Sequence, residues 1–246
     1  MDNDNKICNK NTGSAVCPVL YPSIIAETEN YAVVYKPPRM HCAPLHGNGT
    51  LFDWYAELFP PVKELAGRKE GEGGLLHRLD YETQGLVLVA KNQQSLDNLL
   101  VQQNENAFIK EYSAVCAFGS SLSPGHIIES YFRPFGPGRK MVRPLTDEDA
   151  IPKKKAADAA KDQGGFYRTE IIGIEKCNEN YICTVRLRRG FRHQIRCHLA
   201  WKGCPILNDP LYGSGGGGFL ALRAHGLLFN DPETGKPAEY GIKPLP

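Results

Sequence analysis

Apolar positions along the chain gather into short runs, the clearest being residues 86–90, Leu-Val-Leu-Val-Ala. A short run rich in branched side chains between polar flanks predicts a strand buried on both faces. Ahead of it residues 77–85 read His-Arg-Leu-Asp-Tyr-Glu-Thr-Gln-Gly, a polar turn holding Asp80 with Arg78 two positions earlier. A carboxylate at the mouth of a buried strand can be held rigidly enough to react. An Asp before Thr and Gly equally suits a side-chain cap of the next turn. The chemistry of this segment alone leaves both readings open.

The remaining pattern predicts a strand-rich chain with a few helices. Residues 1–20 read as a polar tail without periodicity. Residues 23–26 and 31–35 are β-prone runs joined by a polar turn, a hairpin whose second strand stops at Lys36-Pro37-Pro38. Residues 50–58 form a helix: Thr50 and Asp53 make a capping box, and Leu51, Trp54, Tyr55 and Leu58 share a face. Helical spacing assigns Trp54 to the core rather than to base stacking. Residues 93–103 form a surface helix with Leu96, Leu99 and Leu100 inward. Strands follow at 109–118, 126–130, 140–143, 166–175 and 181–187, with a closing pair in 219–229. Residues 191–201 are a helix ended by Gly203, with Ile195 and Leu199 on one face and Arg192 and Arg196 on another. Residues 144–165 carry few large apolar side chains and read as an exposed loop, in which Lys153-Lys154-Lys155 is first a solvated face. No repeat or second core interrupts residues 21–246, so one domain is expected there.

The charges of the 246 residues nearly cancel at +2, so net charge argues no partner. Local distribution does. No acidic residue lies between Glu179 and Asp209, a stretch holding Arg186, Arg188, Arg189, Arg192, Arg196 and Lys202. Such clustering is the footprint expected for a phosphate backbone. None of the eight cysteines forms a Cys-x-x-Cys pair, and the i, i+5 spacing of His193 and His198 sends them to different helix faces, so no metal site is expected. With no apolar leader and no membrane-length run, a cytoplasmic protein with reduced cysteines is expected.

The motif around Asp80, ending in the strand and Ala90-Lys91, resembles the catalytic motif of the RluA-type (RluA/RsuA) RNA pseudouridine synthases. Three further stretches are similar to the same family: Tyr-Ala-Val-Val-Tyr-Lys-Pro-Pro at 31–38, Lys110-Glu111-Tyr112, and His-Gln-Ile-Arg-x-His-Leu at 193–199. The resemblance implies an α+β fold with a mixed, mostly antiparallel sheet flanked by helices. It implies Asp80 as the catalytic carboxylate and Arg196 as its partner. Tyr112 would stack on the target base and help remove the proton from its carbon 5. Arg78 would fill the space a flipped base vacates, and Lys36, Arg189, Arg192 and His193 are candidate RNA contacts. The implied reaction isomerises uridine in ribosomal or transfer RNA to pseudouridine without cofactor or metal, by a bare catalytic domain acting as a monomer. The chain departs from the family pattern with Tyr35 for Asn, Gln84 for Ser and Asn208 for Gly. Arg189-Gly190-Phe191-Arg192 replaces the usual Thr-Gly-Arg. Those departures motivate one alternative, an RNA-binding protein that keeps the fold without turnover. A small-molecule hydrolase lacks any nucleophile elbow.

Overall fold

The structure, a computed structural model, describes residues 19–44, 49–117, 122–146, 166–213 and 215–245. Strands β1 (Ser23–Glu27) and β2 (Tyr31–Lys36) form the expected hairpin, its turn held by the Thr28 hydroxyl, which accepts the N–H groups of Asn30 and Tyr31. β2 pairs antiparallel with β3 (Gln84–Ala90), and every residue of both is buried. Alternation explains the unbroken apolar run. Ala32, Val34, Val87 and Val89 enter one core, while Tyr31, Val33, Leu86, Leu88 and Ala90 enter another. Helix α1 (Leu51–Leu58) contributes to the first and α2 (Gln93–Asn104) to the second.

The other strands are β4 (Ile109–Cys116), β5 (Ile127–Phe135), β6 (Met141–Leu145), β7 (Tyr167–Cys177), β8 (Asn180–Leu187), β9 (Leu222–Asn230) and β10 (Pro237–Gly241). They join in the order β1-β2-β3-β9-β4-β8-β7-β5-β6, with β10 also on β9. Among the described residues every pairing is antiparallel except β3 with β9, so the sheet is mixed and mostly antiparallel with helices beside it, as expected.

Several boundaries differ from the sequence reading. The Thr50–Asp53 capping box forms, but α1 buries Leu51, Phe52, Tyr55 and Ala56, leaving Leu58 58% exposed. The last helix, α3 (Gln194–Trp201), starts late because His193 takes a left-handed φ of 57°, so Arg192 lies outside it and cannot share a helical face with Arg196. β6 continues through Pro144 and Leu145 instead of yielding to a loop; an edge strand tolerates a proline. The lysine triplet and the polar tail up to residue 18 lie outside the described residues.

One glycine decides how the Asp80 turn meets the sheet. Gly85, paired with Ala224 across the parallel contact, has φ +127°, and a Cβ there would lie 2.1 Å from the Ala224 carbonyl oxygen. Gly85→Ala is expected to cost about 3 kcal/mol or more, since both backbone strain and a backbone clash result. Gly217→Ala, with open space around it, should stay within about 0.5 kcal/mol. Urea denaturation of the two variants measures the difference, and equal midpoints would contradict this account.

Candidate active site

The Asp80 turn, β4 and the segment leading from β8 into α3 enclose a cleft of about 1030 Å³. Asp80, Tyr112, Arg196, Arg78, Arg189, Arg192 and His193 all line it; Lys36 does not. Residues far apart in the chain meet here because β4 lies between β9, the neighbour of β3, and β8, which leads into α3.

Asp80 keeps about a quarter of its side chain exposed, and its backbone carbonyl, not its carboxylate, accepts the Thr83 N–H that closes the turn. That removes the capping alternative. One carboxylate oxygen instead faces Arg196 Nη1 at 3.7 Å. Arg196 is 2% exposed and forms a two-pronged bond with the fully buried Asp209, Nε to Oδ2 at 2.8 Å and Nη2 to Oδ1 at 2.7 Å. Burial alone lowers the pKa of the guanidinium, but the bonds and charge of Asp209, then the charge of Asp80, more than offset it. Asp209 is the mirror case. Burial raises its pKa, and Arg196 with the N–H groups of Leu211 and Tyr212 brings it below the ordinary value.

Tyr112 is 6% exposed, and burial followed by the charge of Asp80 lifts its pKa well above the tyrosine range. It therefore presents a neutral phenol to the cleft. Arg78 is half exposed, with Nη1 2.9 Å from Glu72 Oε1. His193, its pKa lowered by burial, bonds through Nδ1 to the Tyr212 hydroxyl at 3.1 Å. The exposed Arg192 donates to the carbonyls of Arg139 and Met141.

Lys36, expected as an RNA contact, has another place. It is fully buried, and its ammonium donates to the carbonyls of Pro37, Met40 and Tyr81. An ammonium with three donors so engaged braces the turn next to Asp80. Cys42 adds a second brace, its sulfur accepting the Leu79 N–H. The departures from the family pattern also find partners. The Tyr35 hydroxyl donates to Gln84 Oε1 at 2.8 Å, so two departures answer each other, and Arg223 bonds the same oxygen. Asn208 sits at φ 58°, where a glycine is free and an asparagine tolerated, and its amide bonds the Phe219 carbonyl.

Asp209 is the residue whose part sequence reasoning missed. Its signal was present: it is the acid that closes the long cationic stretch, hence the nearest counter-charge for a buried arginine. Spacing likewise could not reveal Cys116, Cys183 and Cys204, three buried thiols within 4.8 Å of one another, contributed by β4, β8 and the segment after α3.

A family model described as RNA pseudouridylate synthase matches residues 30–201. An uncharacterized RNA pseudouridine synthase of Bacillus subtilis is 30% identical over 233 residues, 91% of this chain and 69% of that protein. Ribosomal large subunit pseudouridine synthase D of Haemophilus ducreyi is 28% identical over 193 residues, 78% of this chain and 52% of that protein. The chain thus spans about half the length of several curated relatives. Among solved structures, human RNA pseudouridylate synthase domain containing 4 superposes with a TM-score of 0.63 at 19% identity, covering 91% of this chain and 88% of that one, a likeness of fold.

Breaking the buried pair should be costly, because one charge is left without its partner. Asp209→Asn is expected to lose about 3–5 kcal/mol. Because its folded-state pKa is depressed, the stability Asp209 contributes is present above the ordinary carboxylate pKa of about 3.9 and lost as pH falls through the folded value. Denaturation across the acid range should show wild type losing stability relative to Asp209→Asn; parallel curves would refute the assignment.

Proposed function

Because the chain belongs to the RNA pseudouridylate synthase family, we propose that it isomerises uridine in RNA to pseudouridine with Asp80 as the reacting carboxylate. The observation that carries this reading is a partly exposed carboxylate in a large cleft, aimed at by a buried arginine that another carboxylate already holds. The bond from base N1 to sugar C1′ breaks, the base turns, and C5 bonds to C1′; the proton lost from C5 balances the one gained at N1. Asp80 can attack the sugar or base, or stabilise an oxocarbenium ion. Arg196 orients it and balances its charge. Tyr112 serves as the surface against which the base turns and helps remove the proton from C5.

A base in a helix or tight loop must leave its stack to reach Asp80, at a cost of roughly a few kcal/mol. Arg78, half exposed beside the carboxylate, fills the vacated space once it exchanges Glu72 for RNA. The names of curated relatives favour ribosomal RNA over transfer RNA as the substrate class. The non-catalytic alternative loses its motivation, since Tyr35 and Gln84 satisfy each other and leave the Asp80 turn intact.

Tritium release from RNA labelled at uridine C5 tests the reading. Asp80→Ala should lower the rate by more than about 10³-fold while keeping the fold. Release by Asp80→Ala at the wild-type rate would end it.

A further inference from the structure

One buried cation lining the cleft is left unused by this chemistry. Lys110 lies on β4 two residues before Tyr112, so strand alternation turns both side chains to the same face, and both line the cleft. Lys110 is 4% exposed, yet among the described residues its side chain makes no hydrogen bond or ion pair; its ammonium lies 5.3 Å from the Phe108 ring centroid. An almost buried ammonium without a counter-charge is costly to maintain.

Its neighbours do not supply that charge. Burial, then the charge of Arg68, draws the Lys110 pKa down to about 8. Arg68 is itself lowered by burial and further by Arg189, with Glu72 acting against both. His77 is neutral: its Nε2 accepts the Leu88 N–H, and burial holds its pKa well below the usual range. The acids lining the cleft are Glu72 and Asp80, already faced by Arg78 and Arg196. Gly190 lies beside the Lys110 ammonium, a Cβ built on it falling 4.0 Å away. Among the described residues Lys110 is therefore left without a counter-charge, with the positive charge of Arg68 beside it.

We propose that Lys110, with Arg68, binds a backbone phosphate of a nucleotide adjoining the one whose base reaches Asp80, an inference that rests on the RNA reading above. Two residues of a strand span about 7 Å, a distance one nucleotide bridges. A phosphate is the anion that recurs at such steps along RNA. The site would read chain direction and register rather than base identity, since phosphate contacts position a strand without reporting its sequence.

Anisotropy titration of a fluorescent oligouridylate nonamer, repeated from about 50 to 200 mM salt, tests this. Lys110→Met keeps the aliphatic stem against Phe108 and removes the charge. It should weaken binding about tenfold and make the slope of log affinity against log salt shallower by about 0.7, the value for one phosphate contact on a single strand. Lys110→Arg should retain the wild-type slope. Equal slopes for wild type and Lys110→Met would overturn the proposal. Should circular dichroism show Lys110→Met unfolded, Arg68→Gln takes its place: a shallower slope supports the site, and an unchanged one overturns it. A wild type that releases no tritium yet loses slope in Lys110→Met keeps this site and removes the catalytic reading; turnover with an unchanged slope does the reverse.

Discussion

A buried guanidinium between two unequal carboxylates governs the site. Arg196 cannot sit at 2% exposure without a counter-charge, and Asp209 satisfies two of its nitrogens in the planar geometry that makes such pairs strong. The remaining nitrogen meets Asp80 a full ångström farther away, at 3.7 Å. The inequality separates two jobs. Asp209 holds the arginine in the folded core, and Asp80 is left oriented but uncommitted, with acceptor capacity free for a substrate. Had both carboxylates closed on Arg196 equally, the site would be a sealed ion triplet with nothing left to react.

Holding Asp80 at that distance is a backbone problem, solved from three sides. Gly85 lets the chain pass against Ala224 where β3 meets β9 in parallel. Lys36 gathers the carbonyls of Pro37, Met40 and Tyr81, tying the end of β2 to the turn. The Cys42 sulfur accepts the Leu79 N–H from the other flank. The opposing arginine is placed by a different device, the left-handed His193 from which α3 begins, one turn before Arg196 enters the core. Function here depends on main-chain conformation as much as on side chains, as expected of a site carried on turns between rigid strands.

What the chain revealed in advance follows local physics. The two-faced burial of β2 and β3, the Thr50–Asp53 box and the Arg196 pairing with Asp80 were readable from periodicity, capping chemistry and motif. What escaped depended on partners distant in sequence. Lys36 reads as a solvated strand end until the carbonyl of Tyr81, forty-five positions on, is brought beside it. Tyr35 and Gln84 read as two defects until the sheet sets Tyr35 opposite Leu86, two positions from Gln84. The α1 face was misjudged because Phe52 and Ala56 complete the buried stripe where Leu58 was expected. A left-handed histidine carries no composition signal, so the α3 start, and with it Arg192, was misplaced.

The acid-free stretch shows how a charge run in sequence differs from a charge patch in space. Arg186 turns back to Glu111 at 2.6 Å, Arg188 bonds the Asn106 carbonyl, and Lys202 lies over the Trp201 ring. Arg196 goes into the core. Of that run, Arg189, Arg192 and Arg196 line the cleft, and the basic residues beside Arg189 come from elsewhere, Arg68 before the Asp80 turn and Lys110 on β4. A β8–α3 segment twisting through its neighbours must spread its cations over several surroundings, because alternation sends successive side chains to opposite faces. The positive field over the cleft is therefore assembled by topology, from part of the acid-free stretch and from two segments whose charges are balanced. For the same reason a net charge of +2 says little about whether this surface can hold RNA.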